Sequence, residues 1–249
     1  MLSRAELEKY GPPGFNLGQK EKDYVQHWIL FFLALSGFEG KFKGGTALQK
    51  AFGLPRYSED LDFTLDGALP PDFEAISAHL SSVGFLQATW KTAESEASLS
   101  AKARMRGPLY NGKPLSEATV TLEFSKREKA VLKPLRIAIR PSYPDITPYA
   151  LPVLAKEEIA AEKIRAILTR ESCRDLYDLH FLVRQNALPT AELVNEKLAF
   201  YDKKYSFAEF KKKAGKLRRE WRRELRAYVS QQPDFETVFA ETVRAAGRI

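Results

Sequence analysis

Cysteine is nearly absent from this 249-residue chain, with Cys173 alone. A lone thiol excludes an internal disulfide and a cysteine-based zinc site, and it reads as a packing residue. Histidine is almost as scarce. His27, His79 and His180 are scattered without metal-ligand spacing and read as structural or surface residues. Long apolar runs are missing too. The longest, Trp28 to Leu35, is too short to span a bilayer and reads as a buried helix. The first residues lack a signal-peptide core, so the expectation is a cytoplasmic protein with no membrane partner. No internal repeat and no low-complexity segment is visible.

What is present is ordinary globular composition, 44% hydrophobic and 29% charged. That length suits one large domain or two small ones. The net charge of +7 is unevenly spread. Lys203 to Arg226 holds eleven basic and three acidic residues, or +8, leaving 28 basic and 29 acidic elsewhere, or −1. A field that local points to a polyanion touching one region.

The stretch around which the chain is organised runs from Lys41 to Leu65, KFKGGTALQKAFGLPRYSEDLDFTL. Gly44 and Gly45 let the backbone approach a ligand, with N–H groups and a helix start (Ala47 to Phe52) behind them. Thr46 follows. Asp60 and Asp62 alternate with Leu61 and Phe63. In a strand, residues i and i+2 share a face, so the carboxylates would project side by side with the apolar pair buried behind. Two such carboxylates repel unless a cation lies between them. Mg2+ or Mn2+ shared with substrate phosphates is the usual solution. Arg56, just upstream, can clamp a phosphate with two hydrogen bonds or pair with Glu59.

These residues resemble the AbiEii/AbiGii toxin group of the DNA-polymerase-β-like nucleotidyltransferases, whose members read K-G-G-T-A-L, a basic residue, then S-x-D-x-D. The superfamily has Gly-Ser where this chain has Gly44-Gly45, which makes Thr46 the candidate hydroxyl for a terminal phosphate. The resemblance implies an α+β fold, a mixed nucleotidyltransferase sheet with helices followed by a helical domain. It also implies transfer of a nucleoside monophosphate from an NTP to an acceptor hydroxyl, with release of pyrophosphate. Family members act as toxins in toxin–antitoxin pairs, and some add nucleotides to the 3′ end of tRNA. The expected partners are therefore an NTP, an RNA acceptor and an antitoxin.

Ala118 to Phe124 has period two and reads as a strand, with Glu123 sharing a face with Thr119 and Thr121. By the resemblance Glu123 is a third carboxylate, serving as metal ligand or base. An exposed strand glutamate is the alternative. Ions roughly 3.5–4 Å apart would stabilise the attacking and leaving oxygens. Lys156 to Arg170 reads as an amphipathic helix, and Arg174 starts the next. The family's A-E-K-x-x-A and R-D-x-x-D segments match here, so Lys163 is implied as a phosphate contact and Asp175 as a builder of the site. Asp178, three residues on, reads equally as catalytic or as a cap with local ion pairs.

Other elements are expected as follows. A capping box, Ser3 with Glu6, opens a helix over 3–9, and Gln19 to Ser36 forms a central helix. Another helix covers 72–82. Strands are placed at 85–92 and 97–105. Residues 132–139 are placed as hairpin partner of 118–124, and 141–152 as a proline-rich linker. Domains are drawn at 1–150 and 151–249. A single basic helix, 206–229, carries an apolar stripe from Phe207 to Tyr228. Lys211, Lys212, Lys213, Lys216, Arg218, Arg219, Arg222 and Arg223 lie on its other faces as phosphate-backbone contacts. Two rival functions stay open. One is transfer to a small-molecule or protein hydroxyl. The other is a non-catalytic nucleic-acid-binding module on a degenerate transferase fold.

Overall fold

A computed structural model describes residues 1–249. The chain divides into two compact units. The first holds residues 1–53, 57–130 and 134–153, and the second holds 54–56, 131–133 and 154–249.

The first unit opens with helix α1 (Arg4–Lys9), capped by the expected Ser3–Glu6 box, then α2 (Leu17–Leu35). Helix α2 starts earlier than its apolar pattern suggests, because Asn16 and Gln19 form a second capping box. Strand β1 (Lys41–Lys43), helix α3 (Gly44–Phe52) and strand β2 (Leu61–Thr64) follow. Helix α4 (Phe73–Ser82) is capped by Asp72. Strands β3 (Leu86–Glu94), β4 (Ser98–Arg106), β5 (Ala118–Ser125), β6 (Leu135–Ile139) and β7 (Tyr149–Val153) complete the unit.

The seven strands form one mixed sheet, ordered β3-β4-β5-β2-β1-β7-β6. Two of its pairings are parallel, β2 with β5 and β1 with β7. Two expectations are corrected here. Strand β6 is not the hairpin partner of β5. It pairs antiparallel with β7 at the far edge, while β5 lies between β4 and β2. The stretch 141–152 is not all linker, because Tyr149–Val153 is β7. Pro152 is tolerated there although it cannot donate a ladder hydrogen bond.

Period two decides what each strand buries. Leu61 and Phe63 of β2, and Leu122 and Phe124 of β5, point into the core. Phe63 stacks on Phe124 with ring centroids 5.4 Å apart, and Phe42 lies 5.2 Å from Phe63. Each such pair adds roughly 0.5–1.5 kcal/mol beyond area burial. Beneath them runs α2, whose Tyr24, Val25, Ile29, Leu30 and Leu33 are fully buried.

The second unit is helical: α5 (Lys156–Thr169), α6 (Cys173–Arg184), α7 (Ala191–Ala199), α8 (Phe207–Lys216), α9 (Trp221–Leu225) and α10 (Phe235–Ala246). The single basic helix is a further correction. It is three pieces, with a 3-10 turn at Leu217–Arg219 between α8 and α9. Its apolar stripe is real, since Phe210, Ala214, Leu217, Trp221 and Leu225 are buried, but Phe207 is exposed. No helix is long and apolar enough to cross a membrane.

Candidate active site

The first group of site residues lies on the sheet of the first unit. Strand β1 pairs antiparallel with β2, so Lys43 faces Asp62. Strand β2 runs parallel to β5, so Asp62 faces Glu123. Strand β5 pairs with β4, so Glu123 faces Ser100. Lys43, Asp62, Glu123 and Ser100 thus form one row across four strands, on the face opposite the phenylalanines. The Ser100 hydroxyl donates to Glu123 Oε1 at 2.8 Å. The Lys43 ammonium donates to Glu128 Oε2 at 2.6 Å, and both residues are buried.

Sequence reasoning passed over Lys43 and Ser100. The signal was there: period two in Lys-Phe-Lys puts Lys43 opposite the core residue Phe42. Ser100 sits in an alternation of its own, with Leu99, Ala101 and Ala103 buried beside it. What no pattern could supply was the register that joins the strands.

Gly44 adopts φ +74°, a left-handed conformation that L side chains rarely take. A Cβ there would stand 3.0 Å from Asp62 Cγ and closer still to Asp62 Oδ2. Position 44 therefore needs glycine twice over, for its dihedral and for the carboxylate packed against it. The Gly44–Gly45 turn and Asp62 are direct neighbours.

Asp60 directly precedes β2 and is exposed, while Asp62 lies within the strand opposite Glu123. The backbone around Asp60 is held elsewhere. Thr46 Oγ1 donates to the Asp60 carbonyl at 2.5 Å, and Gln26 Nε2 donates to the carbonyls of Glu59 (2.7 Å) and Ser58 (3.2 Å). This corrects the expected role of Thr46. Its hydroxyl is fully buried and ties the start of α3 to the acidic segment, rather than facing a terminal phosphate.

No three His, Cys, Asp or Glu side chains stand together as a ready metal cage. Magnesium usually lacks one, binding through one or two carboxylates plus substrate phosphates. The pair Asp62–Glu123, with Asp60 at its edge, fits that mode in donor type. A closed three-carboxylate cage does not describe it.

The second group lies within the second unit, where Arg56 belongs. Arg56 Nε and Nη2 donate to Asp178 Oδ1 and Oδ2 at 2.6 and 2.7 Å, a bidentate pair in which both residues are buried. The expected phosphate clamp is corrected accordingly, since this guanidinium fork is directed at Asp178. Lys163 Nζ lies 2.9 Å from Asp175 Oδ1 and 2.7 Å from Asp178 Oδ2. Arg170 donates from Nε and Nη2 to Asp175 at 2.8 and 3.0 Å.

Burial alone would raise the Asp178 carboxyl, but Arg56 and then Lys163 outweigh it and hold it below the usual range. Burial opposes Asp175 likewise, and Lys163 with Arg170 drives it well below. The Lys163 ammonium, which burial would weaken, is raised by the two aspartates. Asp175, Asp178 and Lys163 are therefore charged at neutral pH.

The structure brings Asp62, Glu123 and the Gly44–Gly45 turn together in the first unit. It gathers Arg56, Lys163, Asp175 and Asp178 in the second. The basic residues of α8, α9 and the turn between them are mostly exposed, although Lys213 is only half-buried. Several are matched by acids: Arg218 with Glu236 at 3.0 Å, Arg223 with Glu220, and Lys216 with Glu171 at 4.0 Å.

Comparison with known proteins agrees with these motifs. The family model described as "Nucleotidyl transferase AbiEii toxin, Type IV TA system" matches residues 28–241. Among solved structures, JHP933 from Helicobacter pylori is similar with a TM-score of 0.64 and 21% identity, over 92% of this chain and 90% of that one. MenT4, the nucleotidyltransferase toxin Rv2826c from Mycobacterium tuberculosis H37Rv, is similar with a TM-score of 0.67 and 20% identity, over 98% of this chain and 88% of that one. At such identities these two establish a common fold. No curated protein matches the sequence.

Proposed function

This chain belongs to the AbiEii nucleotidyltransferase toxin family, and from that premise we propose that it transfers a nucleoside monophosphate from an NTP to an RNA hydroxyl, at the 3′ end of tRNA. One observation carries this reading: the glycine turn packs directly on Asp62, and Asp62 faces Glu123. A backbone that can cradle phosphate thus abuts a carboxylate pair that can take a divalent cation.

The acceptor oxygen forms a bond to the α-phosphorus. The bond from that phosphorus to the oxygen bridging to the β-phosphate breaks, and pyrophosphate leaves. Asp60 and Asp62 are the residues assigned to the divalent cation. Glu123, held at Oε1 by Ser100, leaves Oε2 for the cation or for the departing hydroxyl proton. A bound Mg2+ or Mn2+ supplies charge stabilisation at the phosphoryl oxygens. Backbone N–H groups of the Gly44–Gly45 turn are assigned to nucleotide phosphate. Lys163 directs two of its three N–H groups at aspartates, leaving the third for a phosphate oxygen. Asp175, Asp178 and Arg56 position that lysine. Family membership also implies an antitoxin partner. The polar surface of α8 and α9 remains a candidate for RNA backbone contact, with its field reduced by the acids that pair with it.

The test is incubation with each of the four labelled NTPs, Mg2+ or Mn2+, and tRNA. Label on tRNA that vanishes with Asp62→Ala supports the reading. Label on a small molecule or on protein moves the acceptor to another class. No cation-dependent NTP binding by the wild type would leave a non-catalytic binding module.

A further inference from the structure

The sheet face that carries Asp62 and Glu123 continues beyond them. Along β5, Thr121 and Thr119 share the face of Glu123, at steps of roughly 6–7 Å. Strand β4 places Lys102 opposite Thr121 and Arg104 opposite Thr119. Strand β3 adds Lys91 opposite Lys102 and Thr89 opposite Arg104. Val120, Ala101 and Ala103 fill the other face. Lys91, Lys102 and Arg104 are exposed. With Thr89, Trp90 and Thr119 they line a cavity of about 490 Å3.

Lys91 and Lys102 are direct cross-strand partners. Like charges directly opposite each other destabilise a sheet. Neither lysine forms an ion pair, whereas Arg104 is matched by Glu117 at 3.2 Å and donates to the Pro114 carbonyl at 3.3 Å. Two facing, exposed lysines with no acidic partner, beside a carboxylate pair, are accounted for if a polyanion lies across them.

Strand order says which polyanion. Reading β3-β4-β5-β2-β1, the cationic strip comes first, then the pair Glu123 and Asp62, then the glycine turn that follows β1. The strip and the phosphate-cradling turn flank the acids on opposite sides. In-line displacement wants attacking and leaving oxygens on opposite sides of phosphorus. With the turn holding the nucleotide, the strip is left for the acceptor.

We propose that Lys91 and Lys102, with Thr119 and Thr121, form the track that binds the phosphate backbone of the acceptor RNA and directs its terminal hydroxyl toward Asp62 and Glu123. The proposal rests on the function proposed above. It places the main acceptor contact on the sheet rather than on the basic segment of the second unit.

The experiment compares wild type with Lys91→Glu/Lys102→Glu and with the neutral Lys91→Gln/Lys102→Gln. Binding of a short fluorescein-labelled single-stranded RNA with a free 3′ hydroxyl is followed by anisotropy across a salt series, beside label transfer and NTP binding. The double reversal is expected to weaken RNA binding by about tenfold or more. It should also flatten the salt dependence by roughly the 0.7 per contact expected for a single strand, for two contacts. The acceptor KM should rise while NTP binding stays. The glutamine pair should show the smaller loss with an unchanged or higher melting temperature, which separates lost contact from misfolding. A wild type that labels RNA while both variants bind it equally well overturns the track alone. A wild type that neither binds nor labels RNA overturns the RNA acceptor, and the track with it. Loss of binding on Lys211→Glu/Lys212→Glu, with none on the sheet variants, moves the acceptor to the second unit.

Discussion

Asp62 and Glu123 are register partners on adjacent parallel strands, 61 residues apart in the chain, and their carboxylates share one face of the sheet. Neither strand identifies its partner locally. The pairing makes a cation-binding edge from two ordinary alternations. Asp62→Asn and Glu123→Gln are each expected to lower transfer by about 100-fold or more, because several kcal/mol of charge stabilisation at phosphorus is lost. Folding should survive, since each change relieves carboxylate repulsion. Transfer rates across a Mn2+ titration, with melting temperatures alongside, check both halves.

Gly44 and Gly53 offer a controlled comparison. Both have positive φ, +74° and +78°, but a Cβ at 53 meets nothing within 4 Å while one at 44 meets Asp62. Alanine at either position is expected to lose about 1–2 kcal/mol to the dihedral. Only Gly44→Ala should also abolish transfer. Equal activity in the two variants would refute the close approach of turn and carboxylate.

The Arg56–Asp178 pair is buried and bidentate. Truncating one partner strands the other charge, so Asp178→Ala is expected to destabilise by about 3–5 kcal/mol. The double variant Arg56→Met/Asp178→Leu should recover much of that stability without recovering activity, since Lys163 loses one of its two anchors. A double-mutant cycle in urea, paired with transfer rates, measures this.

Thr46 should matter for position rather than for phosphate. Thr46→Val removes the part-buried hydrogen bond to the Asp60 carbonyl, at about 0.5–1.5 kcal/mol. Thr46→Ser keeps the hydroxyl and should keep activity. An unchanged KM for NTP in Thr46→Val, with a lowered kcat, is the expected split.

His27 makes the fold acid-sensitive. Burial, then the nearby Lys50 ammonium, hold its folded pKa at about 3, against an ordinary 6.5. Between those values the unfolded chain binds a proton that the folded chain does not, so stability falls as pH drops below about 6.5. At pH 5 the loss is about 2 kcal/mol. Thermal unfolding at pH 7 and pH 5 should show it, and His27→Gln should remove most of the difference.

Much was legible in one dimension. The Ser3–Glu6 cap, the alternation of acids with Leu61 and Phe63, the strand around Glu123 and the helical second half all express local rules, whose partners lie within a few residues. Composition ruled out disulfides and a cysteine-based zinc site in the same way. The motifs from Gly44 to Asp62 carried the family.

Tertiary structure decided the rest, because the rest is pairing at long range. Strand β6 is as near in sequence to β5 as to β7, and it pairs with β7 because both edges of β5 are taken by β4 and β2. Arg56 is held by Asp178, 122 residues away. Period two announces that a strand has two faces, but only the folded sheet says whose side chain stands beside whose. The row Lys43, Asp62, Glu123, Ser100 therefore exists nowhere in the sequence, although the alternation had already placed Asp62 and Glu123 on the correct faces of their own strands.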